Sequence, residues 1–311
     1  MILVLCANAG VDRTYEVDGF EAGQYHRPER MRVGAGGKGI NVARVVRALG
    51  PPVRVAGFAG GMAGAFVAAD LRRAGLETAF TRIGEESRTT LTVVDPRGKQ
   101  VTRLDEWGPL VSPAEAQALT ARWGELLGEA ELAAISGNPP RGLARDFYTA
   151  LVAEARRQGV PLVLDAHEEP LQAGIAGLPA ALKVNQKELG WLAERPLAVP
   201  EGVVEYSRQL LELGVGAVLT TAGAAGAILV SADGKAVHLL PPPVECTSAV
   251  GSGDAALGGY LVARQEGLSA VDQARWAVAA GTANCTKLGA GVCRRDEVEA
   301  LAAEVTLREL S

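Results

Sequence analysis

Cysteine, histidine, aromatic side chains and surplus positive charge are all scarce in this 311-residue chain. The four cysteines, Cys6, Cys246, Cys285 and Cys293, contain no Cys-x-x-Cys pair, and His26, His167 and His238 lie far apart. That pattern excludes a zinc cluster and a disulfide framework as the basis of the fold. Lysine and arginine number 31 against 36 acids, a net charge of −5, so no broad basic field is available for nucleic acid or an anionic membrane. The N-terminal run Met1 to Cys6 has no basic residues before it and soon meets Asp12, which reads as a first buried strand rather than a signal peptide. One stretch, 213–232, carries no charge, but Gly214, Gly216, Gly223 and Gly226 break it into two short β-rich runs around a turn. The expected location is therefore the cytoplasm.

Glycine and aliphatic residues, by contrast, are abundant. With 48% hydrophobic residues the chain can bury a large core, and 38 glycines suit tight turns and loops that cradle a ligand. Short apolar runs predict strands at 2–5, 53–58, 133–136, 162–165, 181–184, 217–221 and 227–230. Amphipathic spacing predicts helices over 40–49, 113–127, 145–158 and 203–213, with a further helical run at 255–266. Strands alternating with helices imply a mostly parallel sheet covered on both faces. Two segments, about 13–34 and 87–108, alternate polar and apolar residues instead, and Asp95-Pro96-Arg97-Gly98 marks a hairpin turn in the second. They form an accessory antiparallel layer, suited to a lid, an oligomer contact or both. No linker divides the chain, so residues 1–311 are expected to form one domain.

The segment Val250-Gly251-Ser252-Gly253-Asp254 opens a helix. Its glycines let backbone amides point at one spot, where the helix start favours an anion. Asp254 there is a general base for an attacking hydroxyl, unless Asp254 or Ser252 is merely a helix cap. A second cluster, Gly34-Ala35-Gly36-Gly37-Lys38-Gly39, satisfies GxGxxG, yet it does not follow the first strand and no ribose-binding acid follows it. Gly39 after Lys38 also rules out a Walker loop. What is left is a loop with free amides, one lysine and Asn41, suited to a polar anionic ligand. Asn185 and Glu188 either form a capping box or place Glu188 near a hydrated Mg²⁺. Gly223 and Gly226, after Thr221, serve a hairpin or admit a nucleotide phosphate. Arg88 and Arg103 lie in the lid, where they are either solvated or poised to close on a phosphate.

Taken in order, these segments resemble the PfkB, ribokinase-like carbohydrate kinases, in particular the branch of 1-phosphofructokinases and tagatose-6-phosphate kinases. Asn8-Ala9-Gly10-Val11-Asp12-Arg13-Thr14 is similar to an NPAxDxT opening. Gly36-Gly37-Lys38-Gly39-Ile40-Asn41, Ser136-Gly137-Asn138-Pro139-Pro140, Lys183-Val184-Asn185-Gln186-Lys187-Glu188 and Val250 to Asp254 follow at matching spacing. The resemblance implies a three-layer α/β/α core with a small β lid, a homodimer through that lid, and ATP with Mg²⁺. It makes Asp254 the base, with the amides of Gly251, Ser252, Gly253 and Asp254 on the transferred phosphoryl. It gives the sugar to Asp12, Gly36, Gly37, Asn41 and Asn138, and the sugar's own phosphate to Lys38, Arg88 and Arg103. Lys183, Asn185, Thr221, Gly223, Gly226 and Asn284 would face ATP, with Glu188 near the metal. Val184 stands where the family usually has proline, Ser252 and Gly10 where it has alanine, Asn138 where it has serine, and Thr90 where asparagine is common. Lys38 and Gln24 also differ from fructose-6-phosphate kinases of the family, which have glycine and lysine there. The implied acceptor is a ketohexose phosphate, fructose 1-phosphate or tagatose 6-phosphate. The alternatives are fructose 6-phosphate, an unphosphorylated sugar or nucleoside, and a non-catalytic sugar-phosphate sensor. A nicotinamide oxidoreductase rests only on the stray GxGxxG.

Overall fold

The structure is a computed structural model that describes residues 1–310. A ten-stranded sheet runs through its centre in the order β14-β13-β12-β11-β10-β9-β8-β1-β4-β5. Its parallel part comprises β1 (Ile2–Cys6), β4 (Val53–Gly60), β5 (Glu77–Ile83), β8 (Leu132–Ser136), β9 (Leu162–Asp165), β10 (Ala181–Asn185) and β11 (Ala217–Thr221). Three antiparallel strands, β12 (Ala227–Ser231), β13 (Ala236–Leu240) and β14 (Thr306–Leu310), extend one edge.

Alternation along β1 shows how the sheet divides the core. Ile2 and Val4 face one layer and Leu3 and Leu5 the other, all fully buried, as period-two side chains on a doubly covered strand must be. The first layer holds α1 (Lys38–Leu49), α2 (Gly61–Arg73), α8 (Ser252–Gln265), α9 (Ala270–Cys285) and α10 (Arg295–Glu304). The second holds α3 (Pro113–Leu127), α4 (Phe147–Arg157), α5 (Glu168–Ile175), α6 (Gln186–Leu192) and α7 (Glu201–Glu212). Helix α3 starts where its sequence dictates: Ser112 and Glu115 form a reciprocal capping box with Pro113 at the first helical position.

The lid is a separate four-stranded sheet in the order β3-β2-β6-β7, from β2 (Gly10–Glu16), β3 (Arg30–Gly36), β6 (Arg88–Asp95) and β7 (Gln100–Asp105). The pairs β2–β3 and β6–β7 are antiparallel, as the alternation implies, while the central β2–β6 pair is parallel because both hairpins leave the core in the same direction. The lid is continuous with the core on both sides: β2 follows β1 after a three-residue turn, and β3 runs into α1 at Gly37. Among the described residues no helix is long and apolar enough to cross a membrane. The charge-free 213–232 stretch is the β11–β12 hairpin, turned by one 3₁₀ turn at Gly223–Ala225.

Candidate active site

The parallel strands β8, β9, β10 and β11 end on one side of the sheet, at Ser136, Asp165, Asn185 and Thr221. The chain leaves them for helices or turns there, and ligands of open α/β sheets collect at that edge. A cleft of about 730 Å³ lies there under the lid. It is lined by Asp12, Gly37, Lys38, Asn41, Arg88, Arg103, Lys183, Asn185, Glu188, Thr221, Gly223, Gly226 and the segment Gly251 to Asp254, together with apolar groups such as Pro241, Val244, Ala277 and Val278.

The floor is the start of α8. Gly251 is its N-cap at φ 78°, a left-handed conformation that glycine adopts without strain, and no side chain caps the helix. The cap reading of Ser252 and Asp254 therefore fails. The amides of Gly253 and Asp254, in the first turn, have no intrahelical partner and make an anion seat, whereas the Ser252 amide expected there donates to the Ala249 carbonyl at 3.2 Å.

Asp254 itself is 8% exposed and accepts a 2.8 Å bond from the Asn41 side-chain amide. Burial, followed by the charge of Asp165, pushes its carboxyl up to about 6, against the pull of Asn41, Lys183 and Lys38. A carboxylate held there is ionised at neutral pH and still basic enough to take a proton.

Beneath it lies a residue that the sequence reading did not single out. Asp165, at the end of β9, is completely buried. It accepts from the Ser136 hydroxyl at 2.9 Å and from the Lys183 ammonium at 3.4 Å, with Lys38 at 3.9 Å. Although burial works to raise its carboxyl, the two lysines and Ser136 hold it below the ordinary range. The signal available in the sequence was an acid closing the apolar strand run Leu162-Val163-Leu164, an unusual place for an unpaired charge.

Lys38 also lies 3.8 Å from Glu188, so Lys38, Lys183, Asp165, Glu188 and Asp254 form one charged group on the core side. Glu188 does close a capping box: it accepts from the Asn185 amide at 2.7 Å, while the Asn185 side chain accepts from Lys187 and Glu188. Both residues nevertheless line the cleft.

A second charged group belongs to the lid. Arg88 donates to the Asn8 carbonyl and the Thr90 hydroxyl, and both Arg88 and Arg103 pair with Asp105, at 3.9 and 2.9 Å. Asp12 faces them; burial raises its carboxyl above the ordinary value, while Arg88 and Arg103 oppose that shift.

Three further expected contacts are corrected by the geometry. Gly36 does not line the cleft; a side chain there would collide with the Asp12 carboxylate, so its role is to leave room for Asp12. Asn138 turns its carbonyl to the His167 amide at 3.0 Å, which ties the 137–142 loop to the start of α5. Asn284 is fully buried: it donates to the Val250 carbonyl at 2.9 Å and the Ser252 hydroxyl at 3.3 Å, and accepts from the Val292 amide at 3.0 Å. It positions the anion loop instead of facing a ligand. Asn284→Ala is expected to lower stability by about 1–3 kcal/mol, since it strands buried polar groups, and to reduce turnover with it. Urea unfolding and steady-state kinetics on the same preparation check both. Asn41 is in the cleft but spends its amide on Asp254. The GxGxxG cluster falls at the end of a lid strand, which removes the dinucleotide reading.

An anion seat at a helix start, a buried carboxyl beside it and cations on two sides, all on a lidded α/β/α core, define a small-molecule phosphotransferase. The pfkB family carbohydrate kinase pattern matches residues 3–297. The chain belongs to that family and is an ATP-dependent carbohydrate kinase. It is 35% identical to a 1-phosphofructokinase of Rhodobacter capsulatus over 99% of this chain and 98% of that one. Among solved structures it is similar to Escherichia coli phosphofructokinase-2 in complex with potassium, at 28% identity and TM-score 0.91 over 97% of this chain and 98% of that one. A tetrameric inhibited form of the same E. coli enzyme matches at 27% identity and TM-score 0.90 over the same shares.

Proposed function

We propose that this kinase phosphorylates a ketohexose phosphate, with fructose 1-phosphate as its main acceptor, to give a bisphosphate. The observation that carries this reading is the pair of cationic groups in one cleft: Lys38 and Lys183 beside Asp254, and Arg88 with Arg103 on the lid. One serves the phosphoryl group in transfer and the other an ester already on the acceptor. This division moves Lys38 from the acceptor's phosphate to the transferred one, because its ammonium faces Asp165 and Glu188. The R. capsulatus relative, a 1-phosphofructokinase, supports fructose 1-phosphate.

In this reading Asp254 takes the proton of the acceptor's free hydroxyl while that oxygen bonds to the γ-phosphorus and the bond to ADP breaks. The amides of Gly251, Gly253 and Asp254 and the two lysines stabilise the charge on the phosphoryl oxygens. Asp12 and Gly37 hold the sugar, and Asn185, Thr221, Gly223 and Gly226 hold the nucleotide. Glu188 offers one carboxylate, and among the described residues no three His, Cys, Asp or Glu side chains gather into a metal cage. Such a donor set fits Mg²⁺ that keeps its waters and enters with the nucleotide. When bound, the ion neutralises phosphate oxygens. A homodimer through the lid belongs to the same reading, supported by exposed Met31, Val33, Val101 and Leu104 on the lid strands, and so does a cytoplasmic location.

An ADP-release assay with fructose 1-phosphate, tagatose 6-phosphate, fructose 6-phosphate and fructose tests the acceptor. Fructose 1-phosphate is expected to react fastest. Arg88→Ala is expected to cost about 10- to 100-fold in kcat/KM toward it, the equivalent of one charge-assisted hydrogen bond. The slow reaction of free fructose should change far less. Equal rates with and without the acceptor's phosphate, or an Arg88→Ala loss shared by both acceptors, would remove the phosphosugar assignment.

A further inference from the structure

Two cysteines share the cleft wall, and phosphoryl transfer uses neither. Cys246 is exposed, Cys285 ends α9 and is half-buried, and both line the cleft. Their segments are clamped together: the Thr247 and Ser248 amides donate to the Cys285 carbonyl at 2.7 and 3.0 Å, and the Thr247 hydroxyl donates to the Thr286 carbonyl at 3.1 Å. The two thiols are close enough for Cys246 to act on Cys285 electrostatically. The residue after Cys246 is hydrogen-bonded to Cys285 itself, a backbone proximity of the kind a disulfide requires. The other two cysteines differ, because Cys6 and Cys293 are buried in the core and burial pushes each thiol up to about 11. Burial, and then the neighbouring Cys246, pushes Cys285 to about 11 as well. That leaves exposed Cys246 as the thiol that meets a reagent first.

We propose that Cys246 and Cys285 form a reactive thiol pair in the nucleotide half of the cleft, where Cys246 takes a low-molecular-weight disulfide and Cys285 resolves the adduct. The Cys246 thiol gives its proton to solvent, and its sulfur attacks one sulfur of a reagent such as oxidised glutathione. The reagent's S–S bond breaks and releases one thiolate. The Cys285 thiol then loses its proton and attacks the Cys246 sulfur, which breaks the mixed disulfide and releases the second thiolate. The protein dithiol is oxidised by two electrons and the reagent is reduced to two thiols. Without the second step, a bulky group sits on the wall that the nucleotide must pass. With it, the group leaves and a compact internal disulfide stays behind. The location in the nucleotide half rests on the kinase reading above; the thiol chemistry does not.

The full-length protein is incubated with excess oxidised glutathione, and intact mass, peptide mapping and KM for ATP are read together. Wild type is expected to lose two hydrogens, carry no adduct and show a 246–285 linked peptide. Cys285→Ala is expected to keep one glutathionyl group on Cys246 and to show a KM for ATP raised at least about tenfold, while the KM for the sugar holds. Cys246→Ser is expected to gain neither. Wild type that stays unmodified, or that keeps the adduct, overturns the pair. So does an adduct of equal yield in Cys246→Ser. An adduct on Cys285→Ala that raises the KM for the sugar alone leaves the thiol pair standing and overturns the assignment of the cleft's halves.

Discussion

Asp254→Asn is expected to lower kcat by roughly 10² to 10⁴ and to leave the protein folded. The substitution keeps the size of the side chain and its contact with Asn41, and removes only the basic oxygen. Its stability effect runs opposite to its kinetic effect. The folded carboxyl sits at about 6 against an ordinary 3.8, so the folded state binds the proton more tightly than the unfolded one. Stability therefore falls as pH rises between those values, and above them the buried charge costs up to roughly 3 kcal/mol. Asparagine removes that cost: the variant should melt higher than wild type at pH 7.5 and show no such gain at pH 4. In wild type, kcat/KM should fall as pH drops through about 6, where the base becomes protonated. Thermal melts at two pH values and a pH-rate profile check the set. A variant with near wild-type turnover removes Asp254 as base.

Asp165→Asn is the second large effect, and its sign is reversed. Asp165 is the buried counter-charge of Lys183, which is itself only 3% exposed, and of Lys38. Taking away one partner leaves two ammonium groups near each other without it, a loss of roughly 3–5 kcal/mol at neutral pH. Because the folded Asp165 carboxyl lies below its ordinary value, this contribution is present above pH 4 and disappears as pH falls through the folded pKa. The change also withdraws a negative charge that helps to raise Asp254, so the acid limb of kcat/KM should move to lower pH. Ser136→Ala provides the milder comparison, since it deletes one hydrogen bond to Asp165 and leaves the ion pairs, at about 1 kcal/mol. Urea midpoints for both variants, with pH-rate profiles, separate a charge effect from simple loosening. An unmoved acid limb in Asp165→Asn would show that Asp165 does not act on Asp254.

The parts of the fold that read clearly in the sequence are those where burial is one-sided or complete over a short run. Strands β9 and β11 and helix α3 fall at their expected bounds because short apolar runs mark the strands and amphipathic spacing marks the helix. Helix α9 did not stand out: nearly every side chain from Gln273 to Asn284 is buried, so no polar face marks its period. Strands β5 and β14 lie at the sheet's edges, half-buried or exposed, and carry little apolar alternation. At the site, glycine clusters and the carboxylate after them located the anion seat, because such backbone needs particular residues. Asp165 left no comparable trace. Its importance comes from Lys38, more than a hundred residues away, and Lys183, which only the folded sheet brings together. Asn284 failed in the opposite way, being near the site but turned into the backbone that shapes it.

The strand order has a consequence for how the molecule is made. From β8 onward each new strand is laid outside the last, in unbroken sequence out to β14, whereas β1, β4 and the four lid strands all lie at or before Asp105. During translation the lid strands therefore emerge from the ribosome well before helix α8, which carries Asp254. In the proposed mechanism a nascent chain is thus unable to turn over ATP before α8 has been synthesised.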